Sequence, residues 1–446
     1  GEMKARLFER FEAVQEHANG EEANRLQTAR DELDQCFVGT IHSFCVQILR
    51  AFPLRAGLPP DFTMETDALP LQRLRDEAWQ AHLESAYEEH PEDFQALLDT
   101  GTDPADLRPM YNELAKYPDL NAHISANAPK PDLTEAVEQT IAFVETWTPY
   151  LPDEIKSTYK FTVAVKKAQR ILQVKKPTTD REKAEFLELF YKLDEAGSVL
   201  RVGSWKDWEG TIMGQATAND LRDEGAPEFA RTVINPAVKR WHAYVHRLCT
   251  QLAVGGRERL IALRKERGVL SSSDVLYHTR NLLRDHPDVR AHWQAQYDDC
   301  PRLLVDEFQD TDPLQAEILF YLTGTRHDET DWRATNPKPG SLFVVGDDKQ
   351  SIYRFRRADM AIFNEVASLI DSQRAGESVR LTRNFRSLPV LCDHFNEAFE
   401  DPFSADRTQR RVATLPAEAV QAAYAPFKAN RTEQTDADVL FQHTVG

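Results

Sequence analysis

Two short apolar runs in the second half of the chain stop abruptly at acidic residues. Leu303-Leu304-Val305 ends at Asp306-Glu307, and Leu342 to Val345 ends at Gly346-Asp347. A short unbroken apolar run reads as a buried parallel strand, which in an open α/β sheet delivers polar residues at its carboxyl end. Thr311 or Asp312 can cap, and Pro313 begin, the helix PLQAEILFYL that follows the first run. Nearer the start, Met3, Leu7, Phe11 and Val14 recur at helical spacing. Cys36-Phe37-Val38 reads as a short strand, and Thr40 to Arg50 as a helix closed by Pro53. From about Leu69 to Leu263 the pattern is mostly helical, punctuated by proline-bearing loops and without paired strand signals. The helix ERLIALRKERG ends at Gly268, and Ser272 or Ser273 is placed to cap the next one. Val379-Arg380-Leu381 and Asp438 to His443 read as further strands.

Composition narrows the setting. With 446 residues, 41% of them hydrophobic, the chain can build two or three cored domains. It contains no run of ~20 apolar residues of the kind that spans a bilayer. The five cysteines lack CxxC spacing, so neither a zinc site nor a disulfide framework is indicated, and a cytoplasmic setting is expected. A net charge of −18 argues against a nucleic-acid binder taken as a whole, but distribution matters more than the total. Lys156 to Lys183 carries nine basic residues against two acidic ones, as a solvated helix face or a DNA-contacting patch would.

The second apolar run leads into Gln350, Tyr353, Arg354, Phe355 and Arg356. Two neighbouring strand ends would then present acids, a glutamine, aromatics and arginines to one crevice. That combination suits a metal-bound phosphate ester handled beside a nucleic-acid strand. The strings VDEFQDT and VGDDKQSIYRFR, in that order, resemble the second and third helicase motifs of the UvrD/Rep/RecB group of superfamily 1 DNA helicases. LTRNFRS resembles the fourth motif, with Phe385 where tyrosine is commoner, and EMKARL resembles the tail of the family's AAxEMKxRI-type helix. GTIHSFC resembles the motif that touches the DNA backbone; its continuation HSFCVQILRAFPLRAGLPPDF, and Lys349 in GDDKQSIY, look most like the AddA/RecB branch. VLSSSDVLYHT resembles the family's "LDFDDLL"-type turn, but of that turn only Asp274 survives clearly, with no role beyond capping.

The resemblance implies an α/β fold: a P-loop NTPase (RecA-like) parallel sheet with a large all-helical insertion. Residues 1–68 would form the N-terminal part of the first RecA-like domain, 69–262 the helical insertion, 263–400 the rest of the first domain, and 401–446 the start of a second. ATP and Mg²⁺ are the implied cofactors. Asp306 would orient the metal, Glu307 would position the attacking water, and Gln350 and Arg386 would face the terminal phosphate. Phe385 would stack on the nucleotide base, and Arg356 would link the nucleotide to the DNA track. Thr40, His42, Tyr353, Arg354 and Phe355 would touch DNA, although a capping threonine, a satisfied core histidine and core-facing aromatics are the plainer roles for such residues taken singly. Trp205 and Trp208 suit packing better than base stacking. The implied partners are single-stranded and duplex DNA and an AddB-like or RecC-like second subunit, with no membrane.

No GxxxxGK[ST] phosphate loop occurs in the sequence. The expectation is therefore an excerpt of an ATP-dependent helicase–nuclease acting in double-strand break repair, not ATPase-competent by itself. A catalytically silent DNA-binding scaffold of the same fold is the alternative. Because an aromatic face flanked by cations holds single strands by stacking, Phe355→Ala is expected to weaken single-stranded DNA binding by ~1–3 kcal/mol in a fluorescence titration. An unchanged affinity would remove Phe355 from the DNA track.

Overall fold

The computed structural model describes residues 2–120, 128–151, 160–192, 221, 225–297, 300–354, 357–373, 376–379, 381, 383–400, 426 and 428–430. Trp205, Trp208, Lys156, Phe355, Arg356 and the strand expected at Asp438 to His443 lie outside them. The chain divides into two compact units, Gly1–Met64 with Gly268–Gly446, and Glu65–Arg267.

The first unit is α/β, with three two-stranded parallel pairs among its described residues. β1 (Thr63–Met64) lies beside β2 (Val269–Leu270), β3 (Leu303–Val305) beside β4 (Leu342–Val344), and β5 (Arg383–Asn384) beside β6 (Lys428–Ala429). The core under β3 and β4 is built largely by helices, among them the following two. Ile41–Ala51 buries Phe44, Cys45, Ile48 and Leu49, and Pro313–Thr323 is apolar on nearly every side, as a fully enclosed helix must be. In the second helix Phe320 is completely buried and meets Trp332 edge-on at 5.0 Å between ring centroids. Asp312 caps it, accepting from the Leu314 N–H at 2.8 Å, and Pro313 occupies the first turn, where a missing N–H costs nothing.

Four local expectations are corrected. Cys36 to Val38 forms no strand: it has no ladder partner among the described residues, and Phe37 instead sets its ring 5.2 Å from that of Phe44. The cap of helix Ser272–Asp285 is Ser271, one residue before those expected. Its hydroxyl accepts from the Asp274 N–H while Asp274 returns a bond to the Ser271 N–H, a reciprocal box that fixes the start. Val379 and Leu381 lie outside any strand, and the pairing begins instead at Arg383. The β3–β4 pair is not buried on both faces. Leu303, Val305, Leu342 and Val344 turn into the core, while Leu304 is 78% and Phe343 63% exposed. Successive side chains alternate across a strand, so helices packed on one face cover only every second residue.

The second unit is helical throughout its described residues. Its axis is the helix Asn235–Arg267, which ends where Gly268 adopts the left-handed conformation (φ +62°) that side-chain-bearing residues avoid. Trp79 stacks on Tyr111 at 4.6 Å in the unit's core. Within the basic stretch, Lys175 pairs with Glu182 at 3.1 Å and Arg181 with Glu185 at 2.7 Å, so part of that charge is answered locally. Thr179 and Glu182 form another capping box, and the Thr179 and Thr178 N–H groups, with Lys175, hold the Glu182 carboxyl down at about 2.

Burial sets the stability expected at two sites. Phe320→Ala should cost about 3–5 kcal/mol, as an emptied, enclosed aromatic site does, whereas Leu304→Ala, on the uncovered strand face, should stay within about 0.5 kcal/mol. Urea denaturation of the two variants beside the parent chain checks both.

Candidate active site

Parallel pairing brings the two acidic strand ends together. Val344 lies opposite Val305, and the ladder continues past it through Val345 N–H to Val305 C=O (2.8 Å) and Phe308 N–H to Val345 C=O (2.9 Å). Between those bonds the chain turns through Asp306 and Glu307. Glu307 sits at φ +53°, ψ +42°, a left-handed conformation that costs a non-glycine residue on the order of 1 kcal/mol or more. Its N–H donates to Asp306 Oδ1 at 3.0 Å, and its C=O accepts from the Asp310 N–H at 3.0 Å. Strain held in place by local hydrogen bonds beside exposed carboxylates is characteristic of functional sites.

Gln309 joins this turn to the one after β4. Only 2% of it is exposed; its Nε2 donates to Glu307 Oε2 at 2.5 Å and its Oε1 accepts from the Asp347 N–H at 3.0 Å. Its own C=O accepts from Ser351 Oγ at 3.2 Å. Close approach is possible because residue 346 is glycine: a Cβ there would lie 2.8 Å from Gln309 Oε1. Asp347 in turn accepts from Gln350 Nε2 at 3.0 Å and from Lys349 Nζ at 2.9 Å. Burial alone would push the Asp347 carboxyl up, but the bonds from Lys349 and Gln350 outweigh it and hold the group below the ordinary carboxylate range. Burial likewise pulls the Lys349 ammonium down, and the two neighbouring acids outweigh that too.

Of the residues singled out from the sequence, Asp306, Glu307 and Gln350 belong to these two linked turns. Tyr353 is half-buried and Arg354 exposed, both in the segment that leaves the second turn, and the Arg357 N–H donates to the Arg354 C=O at 3.0 Å. Thr40 and His42 stand on another element. Thr40 is the cap of Ile41–Ala51, accepting from the Ser43 N–H at 3.3 Å, and burial keeps the His42 imidazole below its ordinary value and so uncharged near neutrality. Phe385, 63% exposed, and Arg386 project from a turn after β5. Asn384 builds that turn, its Oδ1 accepting from the Arg386 and Ser387 N–H groups at 2.9 and 2.8 Å.

Sequence patterning does not single out Gln309, Asn384 or the Arg357–Asp312 ion pair (3.3 Å), which ties Arg357 to the cap of the buried helix. The reciprocal bond partners of a buried amide leave no periodic trace in a polar stretch such as EFQDT. Asp310 is equally unmarked: its Oδ1 is buried without a partner, and burial together with the Glu307 charge raises its carboxyl. An orphaned acid oxygen within reach of the Glu307 charge suits a hard divalent cation. No three His, Cys, Asp or Glu side chains converge on a metal among the described residues. Mg²⁺ does not require that, since it is commonly held by one or two carboxylates completed by water and substrate phosphates.

The family described as "UvrD/REP helicase N-terminal domain" matches residues 1–371. Curated relatives named as ATP-dependent helicase/nuclease subunits (AddA) include one from Listeria innocua, 25% identical, covering 82% of this chain and 32% of the relative. Another is from Exiguobacterium sibiricum (27%; 89% and 34%), and a third from Bacillus velezensis (24%; 97% and 37%). The chain spans about a third of the length of these relatives. No helix among its described residues is long and apolar enough to cross a membrane.

The charge pair at the second turn yields a pH dependence. A lowered Asp347 value in the folded chain means that its contribution is present above the ordinary value near 3.8 and is lost as pH falls through the lowered one. A raised Lys349 value means a contribution fully present below about 10.5 and lost on passing above the raised one. Lys349→Ala should therefore destabilise by at most about 1 kcal/mol between those limits, and the gap from the parent should close as the solution is acidified below pH 3.8. Denaturation midpoints measured across pH test this.

Proposed function

The chain belongs to the UvrD/REP helicase N-terminal domain family, and on that premise we propose that it is the nucleotide-hydrolysing, DNA-tracking core of an ATP-dependent helicase–nuclease. The observation that carries this is the hydrogen-bonded junction of two parallel strand ends, with Glu307 on one side of Gln309 and Asp347 and Gln350 on the other. Hydrolysis of a terminal phosphate needs a positioned water, neutralisation of phosphate charge, and a link from the phosphate to whatever moves.

Glu307 has the position and chemistry to orient the water: its carboxylate is at the surface of the site, fixed from behind by a buried amide. Asp306 and Asp310 would hold Mg²⁺, which when bound supplies charge neutralisation at the phosphates. Gln350, fixed on Asp347, would report the presence of the terminal phosphate to the Tyr353–Arg354 segment that follows, and Arg386 would add positive charge from its turn. The expected fold around these residues is the P-loop NTPase sheet, of which β3 and β4 would be part. Tyr353, Arg354, Phe355 and Arg356 alternate aromatic and basic groups as a single-strand track does. Thr40 and His42 would contribute backbone contacts from the start of Ile41–Ala51.

For the whole protein, the relatives' shared description as helicase/nuclease subunits supports a further polypeptide completing the assembly, and break repair is the setting we propose for it. DNA would be both track and substrate, single-stranded where it is gripped and duplex where it is opened.

In the full-length protein, Glu307→Gln is expected to lower DNA-stimulated ATP turnover by about 10²-fold or more and leave nucleotide binding intact. Steady-state hydrolysis with and without single-stranded DNA, beside a nucleotide titration, checks this. Undiminished turnover would mean that another group positions the water, and DNA binding without any hydrolysis by the parent protein would favour a silent scaffold.

A further inference from the structure

We propose that Gln309 is a positioning residue that couples the water-orienting carboxylate of Glu307 to the DNA-side loop after β4. The inference rests on the role given to Glu307 above. Which end of the amide faces which partner follows from chemistry alone: a carboxylate can only accept and a backbone N–H can only donate. Nε2 must therefore serve Glu307 and Oε1 must serve Asp347, at 2.5 and 3.0 Å.

This one residue makes three hydrogen bonds: it donates to the Glu307 side chain within its own turn, and it accepts from the Asp347 N–H and from Ser351 Oγ across the gap to the second. Asp347 carries Gln350, and Ser351 leads two residues later to Tyr353. A shift of the Gln350–Tyr353 loop on engaging a nucleic acid strand must therefore move either the amide of Gln309 or the bonds it makes. Glu307 is the group at the far end of that amide. The site is packed tightly enough to transmit such a shift. Gln309 is buried, Gly346 leaves no room for a Cβ beside it, and the neighbouring Phe308 packs near Phe363 with centroids 6.1 Å apart. Glu307 already sits in a left-handed conformation, so losing its side-chain anchor leaves a strained residue without the bond that orients it.

The test compares Gln309→Met, which keeps the volume and removes both amide hydrogen bonds, with Gln309→Glu, which keeps an acceptor but sets a second carboxylate against Glu307. Both are made in the full-length protein and assayed for ATP hydrolysis with and without oligo-dT. The expected result for Gln309→Met is an ATP KM within about twofold of the parent, a kcat on oligo-dT at least about tenfold lower, and a stimulation ratio collapsing toward one. Gln309→Glu should lose more. Gly346→Ala, which crowds the amide without altering it, should give an intermediate loss of the ratio, and it serves as the independent probe if Gln309→Met does not fold. A Gln309→Met protein with a parental melting temperature, kcat and stimulation ratio overturns the proposal, as does a Gly346→Ala protein with an unaltered ratio. Glu307→Gln run alongside separates the two readings. If it remains active, the role of Glu307 fails; if it is inactive while Gln309→Met behaves as the parent, only the coupling fails.

Discussion

The in-register parallel pairing of β3 and β4 is the constraint on which the site depends. Antiparallel neighbours would send their carboxyl ends to opposite edges, whereas parallel ones end together. With Leu303 opposite Leu342 and Val305 opposite Val344, the residues that follow each strand emerge within hydrogen-bond reach of each other. A slip of one residue would invert every side chain of the strand, turning Leu304 into the core and Val305 out of it, and would displace Asp306 and Glu307 from the second turn. The helical core holds the register by burying only the inward set.

Beyond the last ladder bond the architecture relies on polar contacts. A left-handed glutamate, a buried amide, an orphaned aspartate oxygen and an aspartate–lysine pair all fall within the stretch that leaves these two strands. None is an economical way to stabilise a fold. A hydrophobic residue at 309 would satisfy the packing, and glycine at 307 would relieve the backbone. Their concentration at one place, next to a core that otherwise follows ordinary burial, is consistent with a site selected for chemistry.

Much of this is legible in the sequence wherever local chemistry decides the outcome. Apolar triplets cut off by acids mark β3 and β4, Asp312-Pro313 marks a helix start, and Gly268 marks a helix end. Three adjacent serines are harder, since each can cap; only the spacing of Ser271 from Asp274 distinguishes them, and that signal is present. What cannot be read depends on distant partners. Cys36 to Val38 has the composition of a strand but pairs with nothing described, and Leu304 looks as apolar as Leu303 though one face of the pair is uncovered. Gln309 lies two residues from Glu307 in a polar string, and its importance comes from a distant loop, that of Asp347.

The β1–β2 pair has a separate consequence. Thr63 and Met64, where the chain leaves the first unit, lie opposite Val269 and Leu270, where it returns, and the Thr63 N–H donates to the Gly268 C=O at 2.8 Å. Exit and re-entry are thus stitched side by side, so the first unit experiences everything between them as a single closed loop. The entropy of closing such a loop grows only with the logarithm of its length. The helical segment can therefore lengthen, shrink or diverge with little penalty to the unit that hosts it, which makes it the part of the molecule most open to evolutionary replacement.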